Sequence, residues 1–277
     1  MVFSIVTNVC PIDGARIRKT LPHWLKVFGP SLSQVLVVVD RTLPEGRIAS
    51  LHASEIDGEE DIDNTLAQLQ ELDRKVIVCD LDYSKLADIS KRWFKNGAPI
   101  RCQAGTPIFA FIYALQLAEP QYVLKLDCDM LFYNNGFPEH AIASLQGERV
   151  ALVEPSRLYY AEDAKFSTRA YFLDIDALKH QLPINAHKLD YLRRMHRRIQ
   201  GKPDYLALEQ MLQKEIAVGA LSKIVLPQEY GFSMHVPRRE QFLEGDIDGV
   251  IGRVELGQVP TAQRSMSWDY SREHWVD

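Results

Sequence analysis

The chain has 277 residues, of which 46% are hydrophobic and 25% charged, and its formal net charge is −5. This ordinary globular composition argues against disorder and fibrous repeats, and the length suits one large α/β domain or two small ones. The acidic balance provides no overall attraction to nucleic acid or to an anionic membrane.

The location that the sequence predicts is the cytoplasm. The N-terminal residues lack the basic start and the long apolar stretch of a signal peptide. The most apolar stretch, residues 107–118, is shorter than the roughly 20 residues that span a bilayer. The four cysteines have no metal-type spacing, and we expect reduced, buried thiols. They are Cys10, Cys79, Cys102 and Cys128.

Strands and helices alternate in the first half of the chain. Apolar runs predict strands over 3–7, 34–40, 75–80 and 122–132, and helical spacing predicts helices over 12–32, 65–72, 85–94 and 105–118. Such alternation is typical of an α/β fold with a doubly wound, mostly parallel sheet flanked by helices.

The pattern is less regular in the second half. Strands are predicted over 150–154, 168–174 and 223–226, helices over 177–181, 187–200 and 205–216, and turn signals dominate after Gly245. Because neither an internal repeat nor a low-complexity linker interrupts the chain, we expect a single domain over 1–277 with functional halves 1–132 and 133–277.

Two carboxylates, Asp127 and Asp129, lie in the apolar run from Tyr122 to Phe132. Side chains two apart on a strand point to the same face, so both can approach one ion where the strand ends. Oxygen ligands favour Mg²⁺ or Mn²⁺. Phosphate oxygens of a substrate often complete the coordination shell of such an ion. The pair therefore predicts a metal-bound diphosphate, and the alternative is a solvated turn or a helix cap.

Polar residues also stand at the ends of two other predicted strands. Thr7 ends the first strand and Asp40 ends the second. Ligands bind beyond the carboxyl ends of the strands in such sheets. We therefore expect Thr7, Asp40 and the two aspartates to converge on one crevice.

These features together resemble the nucleotide-sugar-dependent glycosyltransferases of the GT-A fold, over about Phe3 to His235. The resemblance implies that Thr7 and Asp40 contact the nucleobase, that Asp127 lies near ribose and metal, and that Asp129 is the principal ligand of Mn²⁺ or Mg²⁺. It implies a nucleoside-diphosphate sugar as donor and a hydroxyl-bearing acceptor. The same resemblance places Arg101 near ribose or phosphate.

The resemblance also assigns roles in the second half. His235 is the candidate third protein ligand of the metal, with a structural histidine as the alternative. An inverting transferase needs a carboxylate base for the acceptor hydroxyl, for which Glu209 and Asp204 are the candidates. They are five residues apart on a predicted helix, so they do not share a face. A retaining enzyme needs no such base, and the sequence leaves both stereochemistries open.

Other readings of the sequence remain. The basic run 193–198 is either a solvated helix face or a peripheral contact with an anionic surface.

A haloacid-dehalogenase-like phosphatase also ends a strand in Asp-x-Asp, but there the motif ends the first strand of the core. A sugar-nucleotide pyrophosphorylase would open with a glycine-rich basic loop, which residues 7–14 lack. A non-catalytic nucleotide- or carbohydrate-binding module on the same fold is the third alternative.

Overall fold

The fold was described from a computed structural model, in residues 2–41, 62–82, 84, 113–115, 117–134, 136–148, 152–157, 170–177, 216, 219, 221–235 and 247–258. The predicted helices 85–94 and 187–200 lie outside these residues, as do all of 205–216 except Ile216 and most of 105–118. Within the described part, no helix is long and apolar enough to cross a membrane.

The described strands and helices follow the predicted alternation. The strands are β1 (Phe3–Val9), β2 (Leu32–Val39), β3 (Val76–Asp80), β4 (Tyr122–Asp127), β5 (Met130–Asn134), β6 (Leu152–Glu154), β7 (Ser156–Arg157), β8 (Ala170–Asp174), β9 (Lys223–Val225) and β10 (Gly231–His235). The helices are α1 (Gly14–Phe28), α2 (Ile62–Leu72), α3 (Phe137–Glu148) and α4 (Ile247–Glu255).

The main sheet has seven strands in the order β3-β2-β1-β4-β8-β6-β9. The first four strands in this order, β3, β2, β1 and β4, are each parallel to their neighbours. Strand β9 is parallel to β6. Strand β8 is antiparallel to both of its neighbours, β4 and β6. The predicted fold class, a mostly parallel α/β sheet flanked by helices, is confirmed.

A second sheet has the order β5-β10-β7. Strand β10 is antiparallel to β5 and parallel to β7. Each of these strands follows closely on a main-sheet strand: β5 follows β4, β7 follows β6, and β10 follows β9. The prediction of one continuous strand over 122–132 is therefore wrong, because the chain leaves the main sheet at Asp127 and enters the second sheet at Met130.

Helix α1 packs against one face of the main sheet. Its buried residues include Ile17, Leu21, Trp24 and Phe28, at the predicted helical spacing. The helix ends at Phe28 and not at Leu32, because Gly29-Pro30 starts a short 3₁₀ turn and β2 already begins at Leu32.

Aromatic rings join the two sheets in one core. Phe3 contacts Phe28 and Phe172, with ring centroids 5.8 and 4.9 Å apart, and Phe28 contacts Phe132 of the second sheet at 5.2 Å. Phe137 of α3 contacts Phe172 at 5.3 Å. These rings come from three strands and two helices. The second sheet therefore packs into the same core as the main sheet.

Helix α4 lies where turn signals were predicted. Gly249 and Gly252 weigh against a helix by about 1 kcal/mol each, and tertiary contacts outweigh that preference. Val250 packs with residues of the second sheet, Leu131, Phe232 and Met234. Lys19 and Lys26 of α1 form ion pairs with Asp248 at 2.7 Å and Glu255 at 2.5 Å.

Gly231 is the tightest backbone position described in the second sheet. Its φ is +135°, and an added Cβ would lie 2.6 Å from Tyr133 O and 3.1 Å from Phe137 Cβ. We expect Gly231→Ala to lower the free energy of unfolding by about 2–4 kcal/mol, the sum of backbone strain and overpacking. Denaturant unfolding measures this loss, and Gly252→Ala is the matched control, because nothing lies within 4 Å of its added Cβ. Equal stability of the two variants would contradict the prediction.

Candidate functional site

The two aspartates lie at the carboxyl end of β4. Asp127 is the last residue of that strand, and its side chain is 41% exposed. Cys128 and Asp129 form the turn that leads into β5, and Asp129 is half-buried. The two aspartates thus lie on either side of Cys128 where the chain leaves β4, one at the end of the strand and the other in a turn, and not alternating along one strand.

Side chains of α1 hold this turn and the strand that follows it. The Thr20 hydroxyl donates to Cys128 O at 2.6 Å, and Trp24 Nε1 donates to Met130 O at 2.7 Å. His23 Nε2 lies 3.0 Å from Phe132 O and 3.1 Å from Phe132 N. The three helix residues share one face, and their partners are alternate residues from the turn into β5, namely Cys128, Met130 and Phe132. Helix α1 therefore fixes the backbone on both sides of Asp129.

Burial lowers the pKa of His23 to about 4, and the hydrogen bond with Phe132 only partly opposes this shift. The pKa of this histidine is lower in the folded protein than in the unfolded chain. Its contribution to the free energy of unfolding is therefore complete above pH 6.5 and is lost as the pH falls toward 4. Between pH 7.5 and 5 we expect the free energy of unfolding to fall by roughly 2 kcal/mol on account of His23.

Denaturant unfolding across this pH range measures the loss, and His23→Gln is the control, since an amide donates and accepts without titrating. The variant should show a flatter pH dependence than the wild type. Identical pH profiles for the two proteins would contradict a neutral, buried His23.

Cys128, between the two aspartates, has a buried side chain. Burial raises the pKa of its thiol well above the usual value, and the charges of Asp13, Asp129 and Asp127 act in the same direction against the opposing Arg16. A thiol must lose its proton to bind a metal strongly. Its side chain instead belongs to the apolar core beneath the turn.

The register of the main sheet places Asn8 beside Asp127. Asn8 pairs with Val38 on β2 and with Asp127 on β4. By strand alternation, Asp40 falls on this same face, two residues after Val38. Asn8 Oδ1 is buried and has no hydrogen-bond partner among the described residues. Sequence reasoning did not single out Asn8, although its place next to Thr7 in an alternating strand is a usable signal.

Thr7 lies on the opposite face. It pairs with Val37 and Leu126, both of which belong to the core against α1. Strand β1 also continues two residues past Thr7, to Val9. The structure therefore does not bring the Thr7 side chain together with the aspartates, and its contact with a nucleobase stays a prediction.

Asp40 lies at the same edge of the sheet as Asp127. It directly follows β2, and its backbone N–H donates to Val9 O at 2.8 Å, so it lies beside the carboxyl end of β1; its side chain is buried. Neighbouring strands lie about 4.8 Å apart, so the ends of β2 and β4 are on the order of 10 Å from each other. The next residue, Arg41, forms ion pairs with Asp63 and Asp80, which tie this edge to α2 and β3.

The backbone of His235 also lies near the turn. It pairs with Met130 across β5 and β10, which places it beside Asp129; its side chain lies outside the described structure. Arg101, Asp204 and Glu209 also lie outside it, as does the basic run 193–198. The roles predicted for these residues stay predictions.

The arrangement fits a divalent cation in part. The described residues contain no group of three or more His, Cys, Asp or Glu placed to hold a metal. Asp127 and Asp129 supply two hard carboxylates where β4 ends, and Asn8, whose amide oxygen is buried, pairs in register with Asp127. Such a half-complete oxygen set suits Mg²⁺ or Mn²⁺ that shares its remaining positions with phosphate and water.

The sheet has a GT-A-like fold. A mannosyltransferase from Pyrobaculum calidifontis, solved with GDP-Man and Mn²⁺, matches with a TM-score of 0.50 and 14% identity over 86% of this chain and 57% of that one. The chain therefore spans little more than half the length of that protein.

Two further solved structures are similar at lower scores. Mouse xyloside xylosyltransferase 1 has a TM-score of 0.48 and 13% identity, over 82% of this chain and 86% of that one. TarS from S. aureus has a TM-score of 0.49 and 14% identity, over 86% of this chain and 37% of that one. No protein-family model and no curated protein sequence matches the chain.

Proposed function

We propose that this protein is a metal-dependent glycosyltransferase that moves a sugar from a nucleoside-diphosphate sugar to a hydroxyl-bearing acceptor. The observation that carries the proposal is the position of Asp127 and Asp129, at the carboxyl end of β4 in a GT-A-like sheet. The mannosyltransferase of similar fold, solved with GDP-Man and Mn²⁺, supports the choice of donor and metal.

The donor would lie along the carboxyl edge from β2 to β4. Asp40 is proposed to contact the nucleobase, and Asn8 to contact the nucleoside between base and diphosphate, because both lie on the face that carries Asp127. Asp127 and Asp129 would hold the metal. A bound Mn²⁺ or Mg²⁺ supplies Lewis-acid stabilisation of the negative charge that builds on the leaving diphosphate.

On the protein's side, the site needs to hold the carboxylates still while charge develops. Thr20 and Trp24 do this through Cys128 O and Met130 O, on either side of Asp129. Carboxylates that are already held in position need to move less when the transition state forms, which lowers the energy that this movement costs. Glu209 or Asp204 is proposed as the base that takes the acceptor proton if the reaction inverts the anomeric centre.

Calorimetric titration of UDP and GDP, with and without Mn²⁺, tests the proposal. We expect one nucleotide to bind only in the presence of the metal, which also identifies the base of the donor. Release of nucleoside diphosphate from the matching sugar nucleotide then tests turnover, with water or an added acceptor. Binding without release would favour the non-catalytic module, and absence of binding by either nucleotide would refute the donor assignment.

A further inference from the structure

Lys125 is a buried lysine that reaches Asp127 from within the sheet. It lies on β4, two residues before Asp127, so both side chains point to the same face. Its neighbours in register are Val6 on β1 and Tyr171 on β8, and both are buried. Lys125 itself is only 8% exposed.

The Lys125 ammonium forms an ion pair with Asp127. Nζ donates to Asp127 Oδ1, and the lysine side chain is 10% exposed against 41% for the aspartate. The positive charge therefore lies on the interior side of the carboxylate, and the other side of the carboxylate faces solvent. A charge buried this deeply requires a partner of opposite sign, so the pair is a fixed feature of the fold.

This pair changes the charge that a cation meets. Asp127 and Asp129 alone would present two negative charges, but the ammonium reduces the sum over the three side chains to one. A metal ion at the pair would also lie close to a fixed positive charge, which repels it. These three side chains by themselves would therefore attract a cation only weakly.

We propose that Lys125 is an internal counter-charge that makes metal binding at Asp127 and Asp129 depend on a nucleoside diphosphate. The diphosphate supplies the negative charge that the ion pair has removed, so metal and nucleotide bind together and each alone binds weakly. Lys125 also orients the Asp127 carboxylate, which makes it a positioning residue. The inference rests on the proposed function only for the identity of the second ligand, the nucleoside diphosphate. The charge balance does not depend on that function.

The test is the affinity for Mn²⁺ without any nucleotide, measured through the electron paramagnetic resonance signal of free Mn²⁺. We expect weak binding by the wild type and at least about tenfold tighter binding by Lys125→Met, since one adjacent charge shifts the ionisation of a carboxylate by about 1–3 pKa units. Lys125→Arg keeps the charge and should bind Mn²⁺ as weakly as the wild type. Circular dichroism and thermal unfolding check that each variant is folded.

A second measurement repeats the titration with UDP or GDP present. The nucleotide should tighten Mn²⁺ binding strongly in the wild type and much less in Lys125→Met. Equal nucleotide-free affinities of the wild type and Lys125→Met would overturn the counter-charge, whatever the nucleotides do. Tighter Mn²⁺ binding by Lys125→Met with no nucleotide bound by any variant would leave the counter-charge standing and reject the proposed function.

If Lys125→Met does not fold, the wild type and Lys125→Arg still test the inference. In that case, equal Mn²⁺ affinity with and without the nucleotide that binds would overturn the inference. A strong nucleotide dependence in the wild type, kept in Lys125→Arg, would support it.

Discussion

Replacing Asp129 by Asn is expected to abolish metal-dependent nucleotide binding, with a rise in Kd of at least about 100-fold. Even residues that only support a metal ligand contribute about 10–100-fold to affinity, and a direct ligand contributes more. Asn has nearly the same shape as Asp and is readily accommodated in turns, so the turn at Cys128-Asp129 should remain folded. Calorimetric titration of the nucleotide in the presence of Mn²⁺ measures the change.

Asp248→Asn is the matched control for this variant. It removes one carboxylate from α4, at a side chain that is 67% exposed and paired with Lys19. Exposed ion pairs contribute about 0–1 kcal/mol, so this variant should bind nucleotide as the wild type does. Binding by Asp129→Asn within threefold of the wild type would show that Asp129 does not hold the metal.

The main sheet could be predicted because its central strands are buried on both faces. Runs such as Val35 to Val39 are apolar at every position, which is typical of parallel strands covered by helices. Alternation of these runs with amphipathic segments then leaves few topologies. The same reasoning located Asp40 and Asp127, because each is an acid directly after or at the end of an apolar run.

The second sheet and the geometry of the turn could not be predicted in the same way. The apolar pattern is unbroken from Leu126 to Phe132 except for the two aspartates, so nothing in it marks the change of sheet at Asp127. The strand that pairs with β5 lies about 100 residues later, at Gly231–His235. Such a pairing depends on long-range contacts, which periodicity within a short window does not report.

The face to which each polar residue of β1 belongs depends on where the strand ends. Thr7 is a polar residue in an apolar strand, and the sequence favoured it because the strand was expected to end there. Two more residues of β1 place Asn8 on the crevice face and Thr7 against α1. Because alternation has a period of two, an error of one residue exchanges the two faces.

Trp24→Ala is expected to cause the largest loss of stability, about 3–5 kcal/mol in the free energy of unfolding. Trp24 is fully buried, and its indole fills the space between α1 and the start of β5. The smaller change Trp24→Phe keeps most of the ring but removes the donor to Met130 O. Leaving that carbonyl unsatisfied should cost about 1–3 kcal/mol. Denaturant unfolding measures both variants, with Leu25→Ala, at a half-buried neighbour on the same helix, as the control.

The Trp24→Phe variant also separates a packing role from a role in the site. Met130 directly follows Asp129, so a backbone no longer held by the indole should let the Asp129 carboxylate adopt more orientations. Mn²⁺-dependent nucleotide binding should then weaken in Trp24→Phe and stay unchanged in Leu25→Ala, even after both are compared at a temperature where each is fully folded. Loss of stability without loss of affinity would mean that α1 supports the fold alone, and that Asp127 and Asp129 keep their positions through the sheet.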